Sequence, residues 1–394
     1  MGADRVQGAA GATPGDDETA PLLPTLQRVL PSATAVEAGG ILAAGMGFVV
    51  GFIVGYLSTG GQAVPLIGFG ALGSTAGVVA AAVAATAFVA GALSPRVPAR
   101  FGSRRPAGRT ARSIDLGALA FTHAAIVFLA VLGAAHVVSL AFVGTSVSAV
   151  PTAIVTGGVA AVAAYLPYLS ARATDPAKLA NLLVVLLACG ALASMLSSAD
   201  PARWRANLLP LGVAADVSGW AFDLALVIGG LVLAGLSRFI GGELERWASG
   251  RGAAAGRGAR PVAVAVGLVG VCLVVLGLLP ADRGGIVHDL AAAALIVLVA
   301  ALLVGLPWLL PGIGRPLVAT GWAFALLLTF AVLLFRPVGR TTLTATELIV
   351  AALFVAWLVV LLRTVAAALD DRDAGLFPVE SDPVESDPVE SDPV

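Results

Sequence analysis

The chain has 394 residues, 58% hydrophobic and only 12% charged, with a net charge of −1. A soluble globular protein carries roughly 25% charged residues. Half that figure, a mean hydropathy of +0.96 and repeated apolar stretches of about 20 residues exclude a soluble catalytic or nucleic-acid-binding domain and imply a polytopic membrane protein.

Residues 1–31 are polar, contain proline and are acidic around Asp16, Asp17 and Glu18. They are expected to form a disordered N-terminus, to about residue 35, with PLLPTLQRVL lying on the membrane surface. No cleavable signal is evident, because no basic start leads into an apolar core. Ten apolar spans follow, predicted at about 36–58, 66–94, 114–138, 150–170, 179–198, 219–240, 261–280, 287–310, 316–335 and 345–364. Each must be helical, since lipid offers no partners to backbone N–H and C=O groups. The fold class is therefore an all-α polytopic bundle of about ten transmembrane helices.

Several spans carry local signals. Thr34-x-x-Glu37 and Thr344-x-x-Glu347 match capping boxes just before apolar runs, which would satisfy orphan backbone N–H groups. Asp115 follows Ser113 in what reads as a first helical turn, where an acid complements the helix dipole. Gly47, Gly51 and Gly55 recur every four residues and line one face of the first span, and Gly73 and Gly77 do the same in the second. Such faces let helices approach closely within one molecule. The second span holds GFGALG and runs long, so its start is the least defined. Cys189 and Cys272 both lie in apolar runs and suit small apolar packing rather than a disulfide or metal site.

Orientation follows from the basic residues of the connections. The segment SPRVPARFGSRRPAGRTARS, 94–113, holds six Arg and no acid. With that loop inside, so are both termini. Of the 23 basic residues 18 are then inside: two in the N-terminus, six, two, five and one in successive loops, and two at the C-terminal end. Five are outside, Arg203, Arg205, Arg283, Arg336 and Arg340. Trp204 and Trp220 mark an outer edge, and Tyr165, Tyr168, Trp247 and Trp308 an inner one. Basic residues are one Lys and 22 Arg amid abundant Ala and Gly, a usage typical of GC-rich bacterial genomes. The expected location is a bacterial cytoplasmic membrane.

Two segments outside the spans are distinctive. SGRGAAAGRGAR, 249–260, lacks the GK[ST] ending of a phosphate-binding loop and reads as a flexible basic linker touching anionic lipid. The end of the chain, PVESDPVESDPVESDPV, repeats every five residues with six acids and no aromatic residue. Residues 366–394 are expected to be disordered and solvated. Their functional reading is a docking tail for a basic protein partner, against a plain low-complexity extension.

Ionisable groups within spans are costly and raise the question of function. His123 stands about eight residues inside the third span, roughly 12 Å along it and close to mid-bilayer. It is a candidate for binding or proton relay, against a single neutral interhelical hydrogen bond. His136 is on a different face. At the outer side Asp223, His288 and Asp289 are the catalytic candidates, with Arg283 and Arg336 as candidate binding residues. A site requires these groups within hydrogen-bond reach. Helix-end caps and Arg–Asp pairing account for the same residues. Three scattered histidines make a poor metal set, and no metal or other cofactor is expected.

From SMLSSADPARWRANLLPLGVAADVSGWAFDLALVIGGLVLAGL, 194–236, onward, the chain resembles the bacterial and archaeal membrane family catalogued as domain of unknown function 998. The resemblance covers about 179–365, six spans. Asn207, Leu211 and Gly212 match the family's Asn/Ser-x-Leu-Gly element, and Phe222–Asp223 stands at its aromatic-plus-Asn helix start. Leu209–Pro210 replace an expected Ser, and Asp223 replaces an expected amide, which implies that a charge there is not essential. The resemblance implies a four-plus-six organisation, with 36–170 as an added N-terminal bundle, and no particular chemistry. The leading functional expectation is a transporter-like or small-molecule- or lipid-handling bundle. The alternatives are a membrane-embedded hydrolase at the outer leaflet, with His288 as base oriented by Asp289 or Asp223, and a non-catalytic accessory subunit.

Overall fold

The computed structural model describes residues 33–94, 109–172, 176–198, 217–249, 253–335 and 339–373. Ten helices cover nearly all of these: α1 (Ala33–Ser58), α2 (Leu72–Leu93), α3 (Arg109–Ala141), α4 (Ala149–Arg172), α5 (Pro176–Ser197), α6 (Val217–Ala248), α7 (Ala253–Leu278), α8 (Ala281–Leu309), α9 (Arg315–Phe335) and α10 (Leu343–Asp373). All ten contain a window long and apolar enough to cross a membrane. The protein is an all-α multi-pass membrane bundle. The expectations placed on residues 1–32, on most of the Arg-rich 94–113 loop, on Arg336 and on the PVESD repeats lie outside the described residues.

Small residues set the packing of the first four helices. A Cβ added to Gly51 would lie 2.7 Å from both the Ala160 Cβ and the Thr156 carbonyl oxygen, and one added to Gly55 would lie 2.8 Å from the Thr156 Cβ. Gly47 likewise abuts Ala160 and Ala164. The glycine face foreseen in the first span is thus the α1–α4 interface. Gly73 and Gly77 of α2 meet Ala135 and Phe128 of α3. Without a hydrophobic drive between helices in lipid, such close approach supplies the dispersion contacts that hold them.

Helix α3 links α2 to α5 and α6. It packs against α2 on one side, and on the other Leu129 and Leu132 form a buried cluster with Leu186 and Ala193 of α5 and Ala221, Ala225 and Ile228 of α6. The largest cluster lies in the last six helices. Leu233, Ile240 and Leu244 of α6, Val266 of α7, Leu302 and Leu306 of α8, and Trp357 and Leu361 of α10 are all essentially buried there. Gly230 and Gly270 cross backbone to backbone where α6 meets α7. Cys189 and Cys272 are free and half-buried in helices.

Several boundaries differ from the sequence expectation, among them the end of α6, at Ala248 rather than 240, and the start of α8, at Ala281 rather than 287. Residues 66–71 are not helical: Gly68 and Gly70 take φ of +114° and +72°, and helix α2 begins only at Leu72. Just before them, β1 (Val64–Pro65) pairs antiparallel with β2 (Ser146–Val147), clasping two connections at one end of the bundle. Helix α7 starts at Ala253, so most of the expected flexible linker is helix, with Gly258 pressed on Leu309 of α8. Helix α10 continues to Asp373, beyond the expected start of the tail at 366. Helix α3 starts at Arg109, which moves Asp115 from a first turn into the second.

The two capping boxes have different outcomes. In the first, Glu37 accepts a hydrogen bond from the Tyr165 hydroxyl of α4, a tertiary contact rather than a local cap. In the second, the Ala345 N–H donates to Thr342 Oγ1 at 3.2 Å. Thr342, one residue before the start of α10, thus takes up one of the helix's first N–H groups. Trp247, expected at the inner interface, is buried in the core, whereas Trp308 is exposed there.

Candidate functional site

The start of α6, the end of α7 and the start of α8, expected on the outer side, gather most of the singled-out polar residues. Helix α7 ends at Leu278, Pro280 stands at the head of α8, and the α8 backbone breaks at Gly285, where φ is +46° and ψ −131°. A β-carbon is strained in that region, so a glycine serves the bend. The break separates Ala281–Gly284 from the continuous helix that follows. His288 and Asp289 therefore lie in the first turn after the bend, while Asp282 occupies the first turn before it.

His288 is 97% buried, and its Nδ1 is 2.8 Å from the Leu279 carbonyl oxygen. A carbonyl only accepts, so Nδ1 carries the proton and donates. The last carbonyls of a helix have no intrahelical partner, and Leu279 N–H still closes a helical turn onto Val275 at 2.9 Å. His288 is thus a cap for the end of α7, supplied by the next helix. Its other nitrogen, Nε2, is buried and has no hydrogen-bond partner. In this tautomer Nε2 holds a lone pair.

Asp223 lies within one turn of the start of the sixth span, half-buried. Its backbone carbonyl runs beside Gly277 of α7, where an added Cβ would come within 2.8 Å. Arg283 and Asp282 are within electrostatic reach of its carboxylate. Arg283 also faces Asp282, Nε to Oδ2 at 3.5 Å, and is largely exposed. The structure therefore pairs Asp282 with Arg283 at the α7–α8 corner and leaves Asp223 within electrostatic reach of both. It places His288 on the same corner without a hydrogen bond to Asp223. Asp289 points to the exterior and is exposed. The group that orients His288 is the Leu279 carbonyl, a role that a carboxylate was expected to fill. The helix-capping role was hidden in the sequence because the partner is a backbone atom nine residues away.

His123 occupies a separate place. It is 95% buried, its Nδ1 is 2.8 Å from the Leu119 carbonyl, and its Nε2 is 3.0 Å from Ser170 Oγ on α4. Its ring stacks on Phe88 of α2 with centroids 4.4 Å apart. Ser170 is two residues from the end of α4, so His123 sits toward the end of the bundle that carries Arg172, short of mid-span. Both ring nitrogens are engaged and tie α2, α3 and α4 together. His136 bonds its own helix at the Leu132 carbonyl, 2.9 Å away.

Among the described residues no group of three His, Cys, Asp or Glu is close enough to hold a metal ion. Surface recesses are shallow: one is lined by Thr34, Glu37, Ala38 and Ile41, another by Ala85, Thr86, Val89 and Ala90. Buried polar atoms that sequence inspection passed over are the Trp357 Nε1 within the large core and Nε and Nη1 of Arg172 at the end of α4, all without hydrogen-bond partners. No family model, no curated protein and no solved structure matches the chain.

Proposed function

We propose that this protein is a transporter-like bundle that handles a lipid or a small amphipathic molecule at the outer leaflet of a bacterial cytoplasmic membrane. The observation that carries the reading is Asp223, a carboxylate half-buried inside an apolar span with a cation, Arg283, within electrostatic reach. A charged group inside a span is expensive and is kept where it meets a ligand or an ion path. Contacts such as Trp322 Nε1 to the Val304 carbonyl, 3.3 Å, and Gly321 against Leu303 fall in one half of α8 and α9. Toward the Asp223 end, Ile286 and Leu290 of α8 and Phe330 and Leu333 of α9 are exposed. We infer on the same footing that the six-helix part, 179–365, is akin to the domain-of-unknown-function-998 family.

The test is reconstitution of the full chain in vesicles with a fluorescent phosphatidylglycerol as probe, following its movement between leaflets. Asp223→Asn preserves shape and removes the charge. Wild type is expected to accelerate movement over protein-free vesicles, and D223N to lose at least tenfold. Equal rates in wild type and D223N would remove the basis of the proposal.

A second reading, a hydrolase acting at the outer leaflet, is favoured by one feature. His288 keeps Nε2 free while Nδ1 is held by a carbonyl, the tautomer a general base needs. Release of fatty acid or headgroup from the same vesicles, abolished by His288→Gln, would select this reading over transport.

A further inference from the structure

The opposite end of the six-helix part carries a cluster of exposed arginines. Arg257 and Arg260 stand on the first turns of α7, Arg315 starts α9, and Arg363 lies on the last part of α10; all four are exposed. They belong to one end of the molecule. Gly258 presses on Leu309 at the end of α8, and Gly314 lies 4.0 Å from the Thr364 side chain, measured from a built Cβ. Between them Ala259, Leu310, Ile313, Leu361, Leu362 and Val365 form one buried plug. The arginines stand on α7, α9 and α10 around that plug. Among the described residues none of the four makes an ion pair or a side-chain hydrogen bond, whereas Arg246 on neighbouring α6 pairs with Glu243.

The chain itself supplies a complement. After α10 ends at Asp373, 21 residues remain, and they carry Glu380, Asp382, Glu385, Asp387, Glu390 and Asp392 without a single basic residue. Fully extended, that length reaches roughly 70 Å at about 3.3 Å per residue. Arg363 is only about 15 Å back along the helix from Asp373 at 1.5 Å per residue. In each repeat Glu and Asp are two residues apart, and successive pairs are about 16 Å apart at the 3.1 Å rise of proline-rich chain. Neighbouring helix axes are about 8–10 Å apart, so one repeat spans from one helix end to the next or the one beyond. The tether keeps the tail at an effective concentration on the order of millimolar.

We propose that the PVESD tail folds back and docks on Arg257, Arg260, Arg315 and Arg363 of its own chain, occupying a surface that would otherwise hold anionic headgroups. Each acid pair braces an arginine, and the prolines keep the tail extended so that it lies across the helix ends rather than coiling. The contact is electrostatic and therefore salt-sensitive.

The test uses the full chain with Cys189→Ala and Cys272→Ala, a spin label at Ser386→Cys, and a membrane disc of zwitterionic lipid only. The expected spectrum has a slow-motion component at about 10 mM salt, where the screening length is about 30 Å, and loses it near 1 M, where it is about 3 Å. The component is also expected to vanish when the six tail acids become amides, a change outside the bundle, and in the R257Q/R260Q/R315Q/R363Q variant. A label equally mobile with native and neutralised tails at low salt overturns the proposal. So does a slow component that survives in a folded four-arginine variant. If, in a second set of discs that includes phosphatidylglycerol, the arginines retain that lipid equally with native and neutralised tails while the label stays mobile, the occupant is the headgroup and the proposal fails.

Discussion

His288 illustrates how one side chain can serve as cap and hold a potential base at once. Its Nδ1–H satisfies the Leu279 carbonyl, and a buried carbonyl left without a donor costs about 1–3 kcal/mol. His288→Ala is expected to destabilise the protein by about that amount in a detergent unfolding titration, and His288→Asn, which keeps a donor, to recover part of it. An alanine variant as stable as wild type would mean that water or a neighbour replaces the cap. His123 is bound on both nitrogens, to Leu119 and Ser170. Interhelical hydrogen bonds in membranes couple by only about 0.6 kcal/mol on average. A double-mutant cycle of His123→Ala and Ser170→Ala is expected to give a coupling of that size; a value near zero would locate the role of His123 in its stacking on Phe88.

At the scale of elements, the α1–α4 interface depends on the absence of side chains. Gly51 faces Ala160 and Thr156 with no room for a Cβ. Gly51→Val forces the helices apart, and overpacking costs typically 1–3 kcal/mol. The variant is expected to unfold earlier by that margin, while Gly45→Val, which meets nothing within 4 Å, stays near wild type. If both behave alike, the glycine face does not hold the pair. The same reasoning explains which features of helix ends were legible beforehand. The fourfold spacing of Gly47, Gly51 and Gly55 is a property of one helix and is visible in one segment. The Glu37–Tyr165 bond joins residues on α1 and α4, and a local capping pattern at Thr34–Glu37 pointed to a different partner.

For the whole molecule, ten apolar helices among the described residues predict that the start of α1 and the end of α10 lie on one side of the membrane. The Arg asymmetry predicts that this side is the inner one. Single cysteines at Ser386 and at Gly61, next to β1, introduced into the cysteine-free chain, check this in intact cells with an impermeant thiol reagent. Residue 61 is expected to react and residue 386 only after permeabilisation; the reverse labelling would invert the bundle.

Composition and hydropathy alone determined the class, the number of spans and the helical state of each. The reason is that the bilayer imposes one rule on every crossing segment, that its backbone bonds close within itself. They also marked Asp223, His123 and His288, because an ionisable residue stands out in an apolar run. Tertiary structure decided what each of these does. It set Asp223 within electrostatic reach of Arg283, gave both nitrogens of His123 to partners on α3 and α4, and turned His288 onto the Leu279 carbonyl at the end of α7. It also drew Arg257, Arg260, Arg315 and Arg363, spread over more than a hundred residues of chain, onto one end. Which side chains meet depends on helix rotation and crossing, and in lipid these are set by close packing between helices.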